Sequence, residues 1–542
     1  MMSETTIGSR AEIPAPSRPD MNGGNKPLHV ALFFIVLIGA LGFAAFSILQ
    51  DMHSVGEGAL ATGTFVMLGI ALIIALAFEF VNGFHDTANA VATVIYTRSL
   101  PPLVAVIWSG FWNFLGVALS TGAVAYSIVT LLPVELILQA GSSAGYAMIF
   151  ALLIAAIVWN LVTWAFGIPN SSSHALVGSI MGVGLANQLM SPAGAATQGV
   201  DWGQVEKVFS SLLFSPICGF VMAGLLLLVM KLLVRNKALY QAPEGDTPPP
   251  LWIRALLIFT CTGVSFSHGG NDGQKGMGLI MLILIGAAPT AYALNRAMPE
   301  SAMPAFIQSS AEAEKIFLTH VPNHSVELTA ENAREIVGAG LRAKSIASPE
   351  TYDALAVLSD DISTSVKTYG SMKAVPAAAV PNVRTDMYLV ADAIRVMGEA
   401  QDFTPAEKKS LKSFQSELYH GTRFIPLWVK VSVAIALGLG TMVGWKRIVV
   451  TVGEKIGKTH MTYAEGASAE IVAMTTIGLA EGYGLPVSTT HILSSGVAGT
   501  MAANGSGVQL GTLRSMALAW VTTLPAAMAI AGILYVLFRQ IF

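Results

Sequence analysis

Long, nearly uncharged apolar runs decide what this chain can become. They cover about His29–Gln50, an interrupted Thr64–Tyr96, Leu103–Leu132, Gly145–Gly167, Val208–Val234, an interrupted Leu251–Ala288, Pro426–Trp445, Tyr463–Tyr483 and Leu513–Phe542. A helix needs about 20 such residues to cross the hydrocarbon core, where a central charge costs several kcal/mol. Two shorter segments, after Pro169 and after Pro486, are apolar but rich in Gly and Ser, which suits re-entrant hairpins or discontinuous helices. The pattern predicts an all-α polytopic membrane protein with roughly nine to eleven membrane segments. Composition closes the other routes. Charged residues are 12% of the 542, against about 25% in a soluble domain. A net charge of −3 gives no basic field for nucleic acid. Two cysteines, Cys218 and Cys261, make neither a disulfide framework nor a zinc site and read as small buried hydrophobes.

The remaining charge is concentrated. Between Pro289 and Ile425 lie 13 of the 30 Lys+Arg and 16 of the 33 Asp+Glu. The expected organisation is a disordered tail over 1–28, an extra membrane helix over 29–50, a first repeat over 64–234 and a second over 251–542. The polar stretch 289–425 interrupts the second repeat. Ala311–Leu318, Thr329–Leu341 and Pro405–Tyr419 look helical, so this insert reads as a small helical domain or an extended loop. It carries no metal or catalytic motif, and His320 and His324 read as surface histidines.

The repeat rests on two motifs. Asn82-Gly83-Phe84-His85-Asp86-Thr87-Ala88-Asn89-Ala90 and His268-Gly269-Gly270-Asn271-Asp272-Gly273-Gln274-Lys275-Gly276 each place an Asp three residues after a Gly inside an apolar run. Gly167-Ile168-Pro169-Asn170-Ser171-Ser172-Ser173-His174 then matches Gly484-Leu485-Pro486-Val487-Ser488-Thr489-Thr490-His491. Asp86 precedes His174 by 88 residues and Asp272 precedes His491 by 219, an excess close to the length of the polar stretch. Lys231, Arg235, Lys237 and Arg254 mark one loop as cytoplasmic, as do Lys446, Arg447, Lys455 and Lys458 for another. Asp51–Gly63 and Pro133–Ala144 have no Lys or Arg. The two Asp segments then run in opposite directions, an inverted-topology repeat of the kind secondary transporters use. This topology puts the insert outside.

Such an arrangement brings Asp86 and Asp272 together near the midplane, where a carboxylate is costly and functional. Gly83, Gly269 and Gly270 are expected to let their helices break, exposing amides to an anion. Ser171, Ser172, Ser173, Ser488, Thr489 and Thr490 crowd a second pair of helix starts and offer donors to tetrahedral oxygens. A carboxylate can accept the proton that phosphate still carries at neutral pH, whereas sulfate has none to give. His174 and His491 are candidates for coupling or for simple helix-to-helix hydrogen bonds; His85 and His268 are candidates for titration, as is Asn271 for coupling. Glu79 and Glu481 read as interface residues, and Glu470, deeper in its run, as functional.

These motifs closely resemble the inorganic phosphate transporter (PiT) family, from about Thr64 to the C-terminus. The resemblance implies a bacterial-type, low-affinity phosphate permease of the inner membrane, with no resident cofactor and a homodimer as candidate assembly. By position it assigns Asp86, Asn89, Asp272 and the Ser/Thr pairs to substrate and cation, with Asp86 and Asp272 as ligands of a metal carried with phosphate. Glu470 matches a membrane glutamate important in family members. Two departures matter. Gln274-Lys275 stands where sodium-coupled members tend to carry Ala-Asn, and Asn113 where some carry Glu. A fixed ammonium at Lys275 can fill a sodium site and attract an anion, so H⁺ symport of a metal–phosphate complex is expected, with Na⁺ coupling as the alternative. An intramembrane aspartyl protease would need a G-x-G-D element, which neither Asp has. A receptor built on the insert would leave the duplicated Ser/Thr motifs idle.

Overall fold

The computed structural model describes residues 27–55, 62–86, 88–132, 137, 142–191, 199–243, 245, 247–321, 328–343, 345–398 and 403–542, with Pro19 and Met21. The tail expected over 1–28 therefore lies almost wholly outside the described residues, as does His324. Among the described residues the structure is helical, with a single isolated bridge between Gly457 and Val508.

The membrane helices of the first half are α1 (Pro27–Ser54), α2 (Thr62–Asp86), α3 (Ala88–Tyr96), α4 (Pro102–Leu119), α5 (Ala123–Val129), α6 (Ser143–Ala165), α7 (Ser172–Met190) and α8 (Trp202–Leu233). Then comes α9 (Leu251–Ala287), followed by the short α10 (Pro289–Tyr292). The segment expected as an insert contains α11 (Met303–Thr319), α12 (Ala330–Ala343), α13 (Pro349–Tyr369), α14 (Val380–Met397) and α15 (Pro405–Thr422). The chain returns through α16 (Leu427–Thr441), α17 (Lys446–Val450), α18 (Tyr463–Gly482), α19 (Thr489–Asn504) and α20 (Leu510–Ile541). By length and composition, 7 helices among the described residues can cross a membrane, or up to 8 if α15 and α16, bent by 75°, form one span. The sequence suggested more, because α7, α18 and α19 are helical and buried but too polar or too short to count alone.

One expectation fails outright. The run Leu251–Ala288 is not interrupted: α9 is a continuous helix of 37 residues that carries Asp272 past Gly269 and Gly270 without a break. These glycines serve contact instead. A Cβ on Gly269 would overlap the Asn113 carbonyl oxygen, and one on Gly116 would overlap that of Phe266, so α4 and α9 approach backbone to backbone. Between apolar helices in lipid, such close packing supplies the attraction that water would otherwise drive. The pair α8 and α19 is built likewise, Gly219 against Ile492 and Gly499 against Phe220. The two Ser/Thr-motif helices are packed in the same manner. α19 lies along α8, and α7 lies along α20. Both long partners, α8 and α20, contain an internal proline, Pro216 and Pro525. Of the cysteines, Cys261 is buried as expected, while Cys218 is only partly so, 3.8 Å from the Thr476 hydroxyl.

Helices α11–α15 close around their own apolar core, including Phe306, Phe317, Leu355, Val390 and Phe414. His320 is half-buried against Phe403 and Tyr352 rather than free on the surface. The two ends of the segment are pinned together, since the Asn295 amide donates to the Gly421 carbonyl at 2.8 Å. Arg395 reaches back to Asp201, the N-cap of α8, at 2.8 Å.

Candidate functional site

The last residue of α2 and the middle of α9 bring Asp86 and Asp272 to one place, with no more than 2% of either exposed. The Ser/Thr motifs arrive as helix starts. Ser171 caps α7, its hydroxyl accepting from the His174 amide at 3.2 Å, and Ser488 caps α19 in the same way from His491, also at 3.2 Å. Capping by the first hydroxyl frees the next two to project from the first turn. They behave differently in the two motifs. Ser172 donates to Asp86 Oδ2 at 2.7 Å, and Thr490 donates to Asp86 Oδ1 at 2.5 Å. Asp86 is thus held by a hydroxyl from each motif. Ser173 donates instead to the Val487 carbonyl, at 2.8 Å, tying one motif to the other. Among the described residues, the Thr489 hydroxyl is buried with no partner.

Asp272 completes the cluster. Lys275 Nζ lies 2.8 Å from Asp272 Oδ1, one helical turn away on the same face, and His268 Nε2 lies 3.4 Å from Asp272 Oδ2 on the other side. Ser172 Oγ sits 3.4 Å from both Asp272 Oδ2 and Lys275 Nζ. A hydroxyl has one proton to give. It goes to Asp86, the nearer carboxylate, and the oxygen accepts from Lys275. His85 Nδ1 stands 3.1 Å from Asp86 Oδ1, with its Nε2 3.3 Å from the Thr163 hydroxyl. His268 Nδ1 faces Asn113 Oδ1 at 2.7 Å.

The cluster has two carboxylates and one ammonium in a sealed interior. Its carboxylates outnumber its ammonium, which suits a cation at the cluster. Oxygen and nitrogen atoms of Asp86, His268 and Asp272 lie within 4.8 Å of one another and fit a divalent ion. The sequence pointed to the two Asp; His268 is added by the structure. Its signal was the i to i+4 spacing to Asp272, legible only if the helix is unbroken.

The other candidates go elsewhere. Asn271 braces the second motif, donating to the Leu485 carbonyl at 3.0 Å. His174 and His491 stack at 4.8 Å between ring centres, and His491 lies 4.1 Å from Trp520. Gln274 accepts from the Val124 amide at 2.9 Å and so caps α5. Glu470 occupies a separate buried pocket, accepting hydroxyl hydrogen bonds from Thr93 and Thr260. The side chain of Asn89 lies outside the described residues, as does Thr87. Glu79 is not an interface residue, being 0% exposed, whereas Glu481 is partly exposed.

A multi-pass helical body with a charged cluster sealed at its centre has the construction of a membrane transporter. Residues 82–531 match the PHO4 phosphate transporter family, and the chain belongs to it. It is 42% identical over 498 residues to the low-affinity inorganic phosphate transporter PitA of Escherichia coli, covering 89% of this chain and 98% of that one. PitB of the same organism, described in the same words, is 40% identical over 497 residues, covering 88% and 98%. A solved structure described as the sodium-dependent phosphate transporter is 22% identical, covers 88% of this chain and 100% of its own, and has a TM-score of 0.49. The chain is a multi-pass membrane protein, which in bacteria means the inner membrane, and its relatives are named as transporters rather than enzymes.

Proposed function

We propose that this protein carries inorganic phosphate across the membrane by H⁺ symport, the phosphate travelling as a complex with a divalent metal. The observation that carries the reading is Asp86 held between Ser172 and Thr490, one hydroxyl from each Ser/Thr motif, with Asp272 and Lys275 alongside. In this reading Asp86, His268 and Asp272 hold the metal. Lys275, Ser172 and Thr490, with Thr489, supply donors to phosphate oxygens. A neutral metal–phosphate complex is cheaper to move into low dielectric than a bare anion. The Lys275 ammonium, 2.8 Å from Asp272, stands where a sodium ion would otherwise balance that carboxylate, which supports the proton over sodium. Oppositely directed halves exchanging access to one central site would provide the cycle.

The test is reconstitution in proteoliposomes with imposed gradients. Phosphate should accumulate when the outside is acid and sodium is absent, and divalent metal should raise the rate. A strict sodium requirement with no response to pH would overturn the coupling assignment. Absence of phosphate uptake under every gradient would overturn the substrate.

A further inference from the structure

We propose that Glu79 is the group that carries the coupling proton. This rests on the H⁺ symport reading above and names its site, which is distinct from the substrate cluster. Glu79 lies within α2, two turns before Asp86, and is completely buried. An ionised carboxylate accepts hydrogen bonds at about four lone-pair positions. Glu79 receives two: the Gly276 amide donates to Oε1 at 2.7 Å, and Asn82 Nδ2 approaches Oε2 at a long 3.4 Å. Among the described residues, no Lys, Arg or His is within ion-pair distance of it. Among the described residues, the neighbouring Asn82 Oδ1 is likewise buried without a partner.

A proton on Glu79 gives the Asn82 oxygen a donor. With the Asn82 amide turned over, the carboxyl O–H donates to Asn82 Oδ1, and the oxygen that lacked a partner gains one. In the ionised state the amide turns back and Nδ2 donates to the carboxylate. Asn82 is thus a two-position reporter of the Glu79 proton. The seat is purpose-built, because a Cβ on Gly276 would overlap the Glu79 side chain.

The link to the substrate site runs through the next residue. Gly276 directly follows Lys275, and Lys275 and Asp272 are the charged groups that act on Glu79 from α9. On the other helices packed against α2 the charges are engaged elsewhere: α3 and α6 have none, Lys430 of α16 donates to the Ser120 carbonyl at 2.7 Å, and Asp51 of α1, which meets α2 through Phe33 and Phe80, accepts from Tyr292 and Trp428. Along α2 itself come His85 and Asp86, which pair with each other. With the proton on Glu79, Lys275 serves Asp272 and the substrate alone. When the proton leaves, its O–H bond breaks, the electron pair stays on the carboxylate, and Lys275 is shared with a second anion. Its hold on phosphate weakens, and release on the inner side follows proton release.

Glu79→Gln fixes the proton-loaded form. In proteoliposomes, after wild-type accumulation under an acid-outside gradient has been established, Glu79→Gln should retain phosphate exchange across the membrane within about threefold. It should lose at least about tenfold in gradient-driven accumulation, about 1.4 kcal/mol. The acid-minus-alkaline infrared difference spectrum of the wild type should contain a protonated-carboxyl band that the variant lacks. Full gradient-driven accumulation by the variant, loss of exchange together with accumulation, or an unchanged infrared band would each overturn the assignment. A wild type that ignores the pH gradient would instead defeat the H⁺ reading itself.

Discussion

The membrane body and the segment 289–425 solve the packing problem in opposite ways. In the body, helices touch through glycines, and the polar groups are gathered inside, as in the Asp86–Ser172–Lys275 cluster. In the segment, Phe306, Phe317 and Phe414 fill an apolar core, and charges such as Arg395 lie toward its margin. In water, burying apolar surface drives assembly. In lipid it does not, so close contact and hydrogen bonding must hold the helices together. A buried polar cluster is therefore affordable in the body, provided its members satisfy one another. On the proposed reading the chemistry belongs to the body and the segment is accessory to it.

The largest effect should come from the cluster. Asp86→Asn and Asp272→Asn should insert normally and lower phosphate uptake by about thirtyfold or more, since removing one member of a buried charge pair costs about 2–5 kcal/mol. Normal uptake by either variant would remove the site from the body. Phe414→Ala should cost the segment about 3–5 kcal/mol, seen as rapid proteolysis within 289–425, while uptake falls only in part. Replacing 291–423 by a flexible linker should likewise leave partial uptake, because Asn295 and Gly421 already meet. Uptake lost as completely as in the Asp variants would break the contrast and make the segment part of the mechanism.

Gly269→Ala should lower the melting temperature of the purified protein, with an overpacking cost of about 1–3 kcal/mol. An unchanged melting temperature would mean that α4 and α9 can separate freely. The smallest effect belongs to the contact between the two regions. Arg395→Ala removes a partly exposed pair with Asp201 and should change stability by under about 1 kcal/mol. A larger loss, or a collapse of uptake, would show that the regions are coupled through this contact.

Much of the site was legible in the sequence, because two recurring motifs mark it. Asp86 and Asp272, with Ser172 and Thr490, were named from two motifs at matched offsets, and the structure brings them together. The pairing of Lys275 with Asp272 fits their spacing of three residues on one helix. The glycines were misread because Gly269 and Gly270 carry two meanings, backbone freedom and absence of a side chain. Only the neighbour decides between them, and the neighbours, Asn113 for Gly269 and Glu481 for Gly270, lie on other helices. Glu79 was misjudged for the same reason: its donor is Gly276, 197 residues away. His268 became visible as a member of the cluster once α9 proved continuous. In the segment 289–425, α11, α12 and α15 follow the helical pattern read from the sequence; α13 and α14 complete the core with stretches richer in Ser, Thr and Val.

Equilibrium binding of phosphate to purified protein tests the central claim without the complications of transport. With a divalent metal present, the wild type should bind phosphate, and omission of the metal should weaken binding. Asp86→Asn and Asp272→Asn should each abolish the metal-dependent part. Wild-type binding in both variants, with the same metal dependence, would contradict the claim that the two carboxylates form one site for a cation and its phosphate.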